Sequence, residues 1–271
     1  VAKALRSQGR AVVCLGVKHH ADPELRNICN EFSWTGGAQL GKAVRWFRRH
    51  RVGQATMAGK FHKTMLYRPG MWASMAPDWY AIRTFWPHFV SRRRDRSDDT
   101  LLGALVAGFA ARGIEFKPAT DFAPELLVAA GQIAGRAPTK AQQLDIDFGW
   151  RLAKEMGRLD IGQSVCVKER AVLAIEAIEG TDQCIQRAGK LCTSGGFTVV
   201  KVAKPQQDMR FDVPTIGVGT LETMSAAGGR VLAVEAGRTI LLDEPEFRRV
   251  AQQRGLAVVA IARNEMSKAA A

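Results

Sequence analysis

Long apolar runs, paired cysteines and the common nucleotide-binding and hydrolase signatures are all missing from this chain of 271 residues. The longest nearly uncharged stretches, such as Leu101 to Ala111, are too short to cross a bilayer as helices. The basic segment Val1 to Arg10 is not followed by an apolar run ending in a small-residue cleavage site, so a cytoplasmic protein is expected. The five cysteines (Cys14, Cys29, Cys166, Cys184, Cys192) are odd in number and form no C-x-x-C pair. That argues against a zinc site or disulfide framework and for reduced, mostly buried thiols. No G-x-G-x-x-G, P-loop, G-x-S-x-G or H-E-x-x-H occurs, which removes the common dinucleotide, nucleoside-triphosphatase, serine-hydrolase and metalloprotease readings. The histidines (His19, His20, His50, His62, His88) are scattered, and no acidic or histidine partner stands at ligand spacing beside His19-His20. Neither internal repeats nor low-complexity tracts are found.

What is present is ordinary globular composition, 46% hydrophobic and 24% charged, in a length that allows one large domain or two small ones. The balance of 39 basic to 26 acidic residues gives a formal charge of +13. Such a charge fits an anionic partner: nucleic acid, anionic lipid headgroups or a phosphate-rich small molecule. It is concentrated in the first half, in Arg45, Arg48, Arg49 and Arg51 and in Arg92, Arg93, Arg94 and Arg96. Solvated helix faces without a partner would look the same.

The first half alternates strands and helices. Val1 to Gly9 reads as a helix, Ala11 to Val17 as a buried strand, and Ala38 to His50 as a helix with Leu40, Val44 and Phe47 on one face. Val52 to Ala58 is a second strand candidate. Asp98 or Asp99 caps a helix ending at Gly113, and Ile114 to Phe116 starts another strand. This alternation predicts a parallel sheet with helices on its faces, a Rossmann-like layout that lacks its opening strand and glycine turn. Pro118 to Pro138 reads as a loop-rich connection, and Thr139 caps a long amphipathic helix ending at Gly157 to Asp160. Two domains are therefore expected, residues 1–157 with the long helix as connector and residues 158–271.

In the second half Ile161 to Val167 and Ala171 to Glu179 predict a hairpin turning at Lys168-Glu169-Arg170. Further expectations are a helix capped by Thr181 or Asp182 and closed by Gly189, a strand Phe197 to Val202, and a helix from Thr220 to Gly228-Gly229. Strands follow at Val231 to Glu235 and Thr239 to Leu242. Asp243-Glu244-Pro245-Glu246 resembles a capping box before a helix to Arg254, and Leu256 to Ile261 is the last strand. Asn264 to Ala271 reads as a frayed tail.

Three clusters carry chemistry. Val200 to Gly217 (VKVAKPQQDMRFDVPTIG) leaves a strand and gathers Lys201, Lys204, Asp208, Arg210 and Asp212 on a loop that Pro205 and Pro214 keep irregular. Its cations suit phosphate oxygens, and its carboxylates suit a divalent cation or a water. A salt-bridged surface loop is the alternative. In the second cluster Glu176 and Glu179 interrupt an apolar strand, on opposite faces if the strand runs regularly. Gly180-Thr181-Asp182 then opens a helix, where simple N-capping competes with anion binding. The third, Glu235-Ala236-Gly237-Arg238-Thr239, presents Arg238 on a turn and is the weakest.

Read in order, GAQLGK (Gly37 to Lys42), MAGKF (Met57 to Phe61), Asp98-Asp99, GRLDIGQSVCV (Gly157 to Val167), AIEAIEGTD (Ala174 to Asp182), the long loop motif and AVEAGRTILLD (Ala233 to Asp243) resemble the LpxI-type UDP-2,3-diacylglucosamine pyrophosphatases. The resemblance covers nearly the whole chain. It implies a Rossmann-like N-terminal domain and a distinct α/β C-terminal domain, with magnesium-dependent hydrolysis of UDP-2,3-diacylglucosamine to UMP and 2,3-diacylglucosamine 1-phosphate in lipid A synthesis. Asp212 would be catalytic, as metal ligand or water orienter. Lys201, Lys204, Arg210, Thr181, Thr215 and Arg238 would bind substrate, and Asp182, Glu179 and Asp208 would serve the metal. A homodimer touching the cytoplasmic face of the inner membrane is implied, with no nucleic acid. The family opens with a strand and a glycine-asparagine turn, and this chain is expected to lack them. A basic module that holds a nucleotide sugar or nucleic acid without turnover, and a truncated inactive homologue, are the alternatives.

Overall fold

The computed structural model describes residues 1–18, 20–59, 77–90 and 98–262, with backbone alone at 87–90 and 98–101. The arginine run at 92–96, His19, His62, the side chain of His88, the capping side chains of Asp98 and Asp99, the end of the MAGKF motif and the tail from Asn264 lie outside the described residues. The chain divides into two compact units: Val1–Pro124 with Asp208–Phe211, and Glu125–Gln207 with Asp212–Ala271.

In the first unit the elements run α1 (Ala2–Ser7), β1 (Val13–Val17), α2 (Leu25–Ile28), β2 (Glu31–Thr35), α3 (Leu40–Arg49), β3 (Gln54–Ala55), α4 (Trp79–Val90), α5 (Asp98–Ala110), β4 (Glu115–Phe116) and α6 (Ala119–Phe122). The strands are parallel, as the alternation predicts, and stand in two separate pairs, β1 with β2 and β3 with β4. The core gathers Leu40 and Val44 of α3, Ala81, Val106, Phe109, Ile114 and Phe116. Arg45, Arg48, Arg49 and Arg51 are all exposed, so this basic run is a solvated face opposite the apolar stripe. Phe211 packs on the same core, which is why Asp208–Phe211 belong to this unit.

The second unit comprises β5 (Gly131–Ala134), α7 (Lys140–Arg158), β6 (Ser164–Lys168), β7 (Ala171–Ile175), α8 (Thr181–Leu191), β8 (Phe197–Lys201), β9 (Thr215–Ile216), α9 (Val218–Ala227), β10 (Gly229–Glu235), β11 (Ile240–Leu241), α10 (Glu244–Gln253) and β12 (Ala257–Ile261). Six strands form one sheet in the order β5-β12-β10-β8-β6-β7. Its centre, β12-β10-β8, is parallel, and β5 and β6 flank it antiparallel. Period-two alternation splits the strands between two cores. Val199, Leu232 and Val258 face α8, α9 and α10, whereas Val200, Val231 and Val259 face α7. On α7 the inward residues are Ile146, Trp150, Ala153 and Met156, at helical spacing. A Cβ on Gly149 would stand 2.8 Å from Val200 Cγ2, so glycine sets the depth at which α7 lies on the sheet.

That packing moves the domain division. The sequence reading assigns the long helix to the first domain, ending it at residue 157. In the structure α7 belongs to the second unit, which starts at Glu125, because the helix buries its apolar stripe on β6 and β8. β2 and β5 were not anticipated; β5 emerges inside the supposed loop and pairs antiparallel with β12. Thr139 does cap α7, in a reciprocal box with Gln142. The hairpin turns where expected, and Glu169 and Arg170 both take positive φ (52° and 59°). Two non-glycine residues in that region are strained. The buried Asp145 carboxylate of α7 holds the turn by accepting the N–H of Glu169 at 3.1 Å and of Arg170 at 2.7 Å. Three helix signals fail. Gly189 does not stop α8 but lies inside it, pressed against α9, where a Cβ would come 2.6 Å from Ala227 O. α9 starts at Val218 rather than Thr220. Asp243 sits left-handed (φ 49°) without a side-chain cap bond, and Glu246 instead pairs with Arg249.

All five cysteines are free thiols. The Cys14 thiol is pushed up to about 12 by burial and by the neighbouring Cys29. A hydrogen bond with Cys184, then burial, raises Cys166 far above its ordinary value.

Candidate active site

Parallel strands present their side chains and loops for chemistry at their carboxyl ends. In the second unit that edge carries Lys201 at the end of β8 and Glu235 at the end of β10. Because β6 runs antiparallel to β8, its first residue, Ser164, lies at the same edge opposite Lys201. β7 ends at Ile175, so Glu176 turns in beside them, its N–H donating to Ser164 O at 2.9 Å. The regular strand through Glu179 that the sequence suggested does not form, and Glu176 alone of the two acids is buried.

Lys201 is 7% exposed. Its ammonium donates to Thr181 Oγ1 at 3.1 Å and to Thr215 O at 3.2 Å. Thr181 Oγ1 donates to Glu176 Oε1 at 3.0 Å and lies 3.3 Å from Ser164 Oγ. Thr181 is therefore not the cap of α8; Gly180 is, and the threonine hydroxyl serves a polar cluster. The bond from Lys201 to Thr215 O ties this cluster to the loop that carries Asp212. Asp212 is half-buried, and among the described residues no hydrogen bond or ion pair holds its carboxylate.

A second arrangement fixes the start of that loop. Glu235, 1% exposed, takes both the Lys154 ammonium (2.5 Å) and the Ala203 N–H (2.8 Å) on Oε2. Lys154 also donates to Ala203 O at 2.8 Å. Lys204 pairs with Asp160 at 2.5 Å, and its N–H donates to Gln207 Oε1 at 2.7 Å. A Cβ on Gly157 would approach Lys204 Cα to 3.1 Å, so the end of α7 lies directly against the loop backbone.

The other expected residues are placed as follows. Glu179 pairs with Arg187. Burial opposes its charge, but hydrogen bonds from its own N–H and from Arg187 hold it below its ordinary value. Asp182 is exposed on the first turn of α8. Asp208 and Arg210 form a bidentate pair inside the first unit (Nε–Oδ1 2.9 Å, Nη2–Oδ2 2.5 Å), which holds Asp208 below and Arg210 above their ordinary values. Arg238 is half-buried on the turn after β10, where Gly237 takes φ 68°. Glu179 and Asp208 are thus each matched by an arginine. No group of three acidic, histidine or cysteine side chains able to hold a metal stands among the described residues. Ser164 and Lys154 were not anticipated, and Glu235 stood only in the weakest of the three clusters, with Arg238 as the residue it presents. Glu235 ends an apolar strand, which is a signal of a buried acid. Lys154 is one cation among several on the polar face of α7 and carries no such signal.

No helix of the described residues is long and apolar enough to cross a membrane. Residues 1–126 match the model of the LpxI N-terminal domain and residues 129–259 that of the LpxI C-terminal domain. The chain is 31% identical over 268 residues to the UDP-2,3-diacylglucosamine pyrophosphatase LpxI of Caulobacter vibrioides, covering 96% of this chain and 92% of that protein. With both domains matched in order and a relative aligned across nearly its whole length, the chain belongs to the LpxI family.

Proposed function

We propose that this chain hydrolyses UDP-2,3-diacylglucosamine to UMP and 2,3-diacylglucosamine 1-phosphate, a step of lipid A synthesis. The observation that carries the reading is the buried Lys201 at the carboxyl edge of the sheet, hydrogen-bonded to Thr181 and to the loop bearing Asp212, in a member of a family with a named pyrophosphatase. The pyrophosphate is a compact dianion, and cations held in a poorly hydrated place stabilise it and the charge that grows on the leaving group. Lys201 and Lys204 supply such charge from the second unit, and Arg210 is the third cation of the motif. Thr181, Thr215 and Arg238 complete the polar surface for substrate.

Asp212 is the acid we assign to the reacting water. Water adds to the phosphorus that bears the sugar, the bond from that phosphorus to the bridging oxygen breaks, and the oxygen leaves with UMP. The proton lost by water passes to solvent through the carboxylate. Magnesium fits this donor set in one manner. It is typically held by one or two carboxylates together with substrate phosphates and water, so it needs no three-acid protein cage. Asp212 would hold it, with Asp182 as the exposed second acid. Glu179 and Asp208, matched by Arg187 and Arg210, do not fit as ligands in the state described. When bound, the ion would neutralise phosphate charge. A homodimer working at the inner-membrane surface on the cytoplasmic side completes the proposal.

The test is incubation of the purified chain with UDP-2,3-diacylglucosamine in H2(18)O, with magnesium and again with a chelator. Magnesium-dependent release of UMP, with the label in the sugar phosphate, is expected. Label in UMP would reverse the site of attack. Tight binding without turnover would replace the hydrolase by a nucleotide-sugar binding module.

A further inference from the structure

Glu176 is a buried acid that the site so far leaves without a task. It is 7% exposed, Oε1 takes the Thr181 hydroxyl, and Oε2 has no hydrogen-bond partner among the described residues. An anion in that position costs free energy unless something nearby repays it. The directions of the bonds show what does. A carboxylate only accepts and an ammonium only donates, so the single proton of Thr181 goes to Glu176 and its lone pairs face Lys201 and Ser164. Ser164, fully buried, is then the donor in its contact with Thr181. Polarity is thus fixed along Lys201–Thr181–Glu176.

Were Glu176 absent, the Thr181 proton would turn elsewhere, toward Ser164, and the lone pair that Lys201 meets would no longer be held in one direction. The backbone leaves little slack, since a Cβ on Gly162 would meet Glu176 O at 2.1 Å. Covalent geometry and close packing hold the acid where its charge acts on Lys201 through one hydroxyl.

We infer that Glu176 is a positioning residue for the proposed hydrolysis: through Thr181 it sets the aim of the Lys201 ammonium at the carboxyl edge of the sheet. This rests on the reading of Lys201 as a phosphate-binding cation. Glu176→Gln keeps the shape and an acceptor for Thr181 but removes the charge. It is expected to melt within a few degrees of the parent while turnover falls roughly tenfold, the size of coupling found between contacting residues. Thr181→Val should cause a similar loss, and Glu176→Gln/Thr181→Val no more than the larger single loss, because both break one relay. Thr181→Ser, which keeps the hydroxyl, should restore most of the turnover. Additive losses in the double variant, or full turnover in Glu176→Gln, would overturn the inference. A crystal structure of Glu176→Leu, which removes the acceptor together with the charge, gives a readout independent of turnover. Displacement of Lys201 Nζ from Thr181 supports positioning even if the parent chain releases no UMP, which would fault the hydrolase reading alone; an unmoved Lys201 would sink the positioning role.

Discussion

In the second unit three parallel strands lie side by side and are covered on both faces, by α7 on one and by α8, α9 and α10 on the other. In the first unit the parallel strands stand in two pairs, and the arginines of α3 are exposed. The difference decides where charge is forced into defined partnerships. Every buried charged residue described (Asp145, Glu176, Lys201 and Glu235) belongs to the second unit. A doubly covered sheet desolvates whatever ends its central strands, and a desolvated charge persists only with a partner at fixed distance. The arginines of α3 meet no such demand, because water solvates them.

The comparison can be broken at several points. The largest effect is expected at Asp212, half-buried on the site loop. Asp212→Ala should fold and bind substrate yet lose about 10²–10⁴-fold in kcat, as when a positioned acid or base is removed. Near-normal product release would take Asp212 out of the mechanism. Next is Lys154→Ala, which strands the carboxylate of Glu235 in the core. A loss of about 3–5 kcal/mol in denaturant unfolding is expected. Lys154→Met/Glu235→Leu should recover much of it, and a single variant as stable as the parent would show that the pair is not desolvated as described.

Asp145→Ala should cost about 1–3 kcal/mol by leaving two N–H groups of a strained turn unpaired. Glu169→Asn/Arg170→Gly, which suits positive φ at both positions, should offset part of the cost; if it does not, Asp145 acts elsewhere. The smallest effect belongs to the Asp208–Arg210 pair of the first unit. Arg210 lowers the Asp208 pKa in the folded state, so the pair's contribution is present above the ordinary carboxylate value near 3.8 and is lost as pH falls through the lowered one. Arg210→Ala should bring the Asp208 titration back toward its ordinary range in NMR, with little change in stability at neutral pH. An unmoved titration would assign the lowering to another group.

Local rules located most of the elements. Periodicity marked α3 and α7, Thr139 capped α7 as expected, Gly228 closed α9, and the hairpin turned at Glu169-Arg170. Those signals depend on residues a few positions apart. The failures were of another kind. Gly189 looks like a helix stop in sequence, yet it lies inside α8 and serves close approach to α9. β5 has no pattern of its own and exists because β12 offers an edge.

The site divides in the same way. The sequence by itself determined that Lys201 would end a strand, that Thr181 would open a helix and that Asp212 would lie on the loop leaving that strand, since apolar runs stop where the polar residues begin. It placed Glu176 inside a strand, and the structure puts it just past the end of one. Which of them meet was decided only by the tertiary structure. Glu179 and Asp208, good metal ligands on paper, are taken by Arg187 and Arg210, whereas Lys154 reaches Glu235 across 81 positions of sequence. Charge and spacing say what a side chain can do. The packing of α7 and α8 against opposite faces of one sheet says which partner is within three ångströms, and for a buried charge that partner fixes its role.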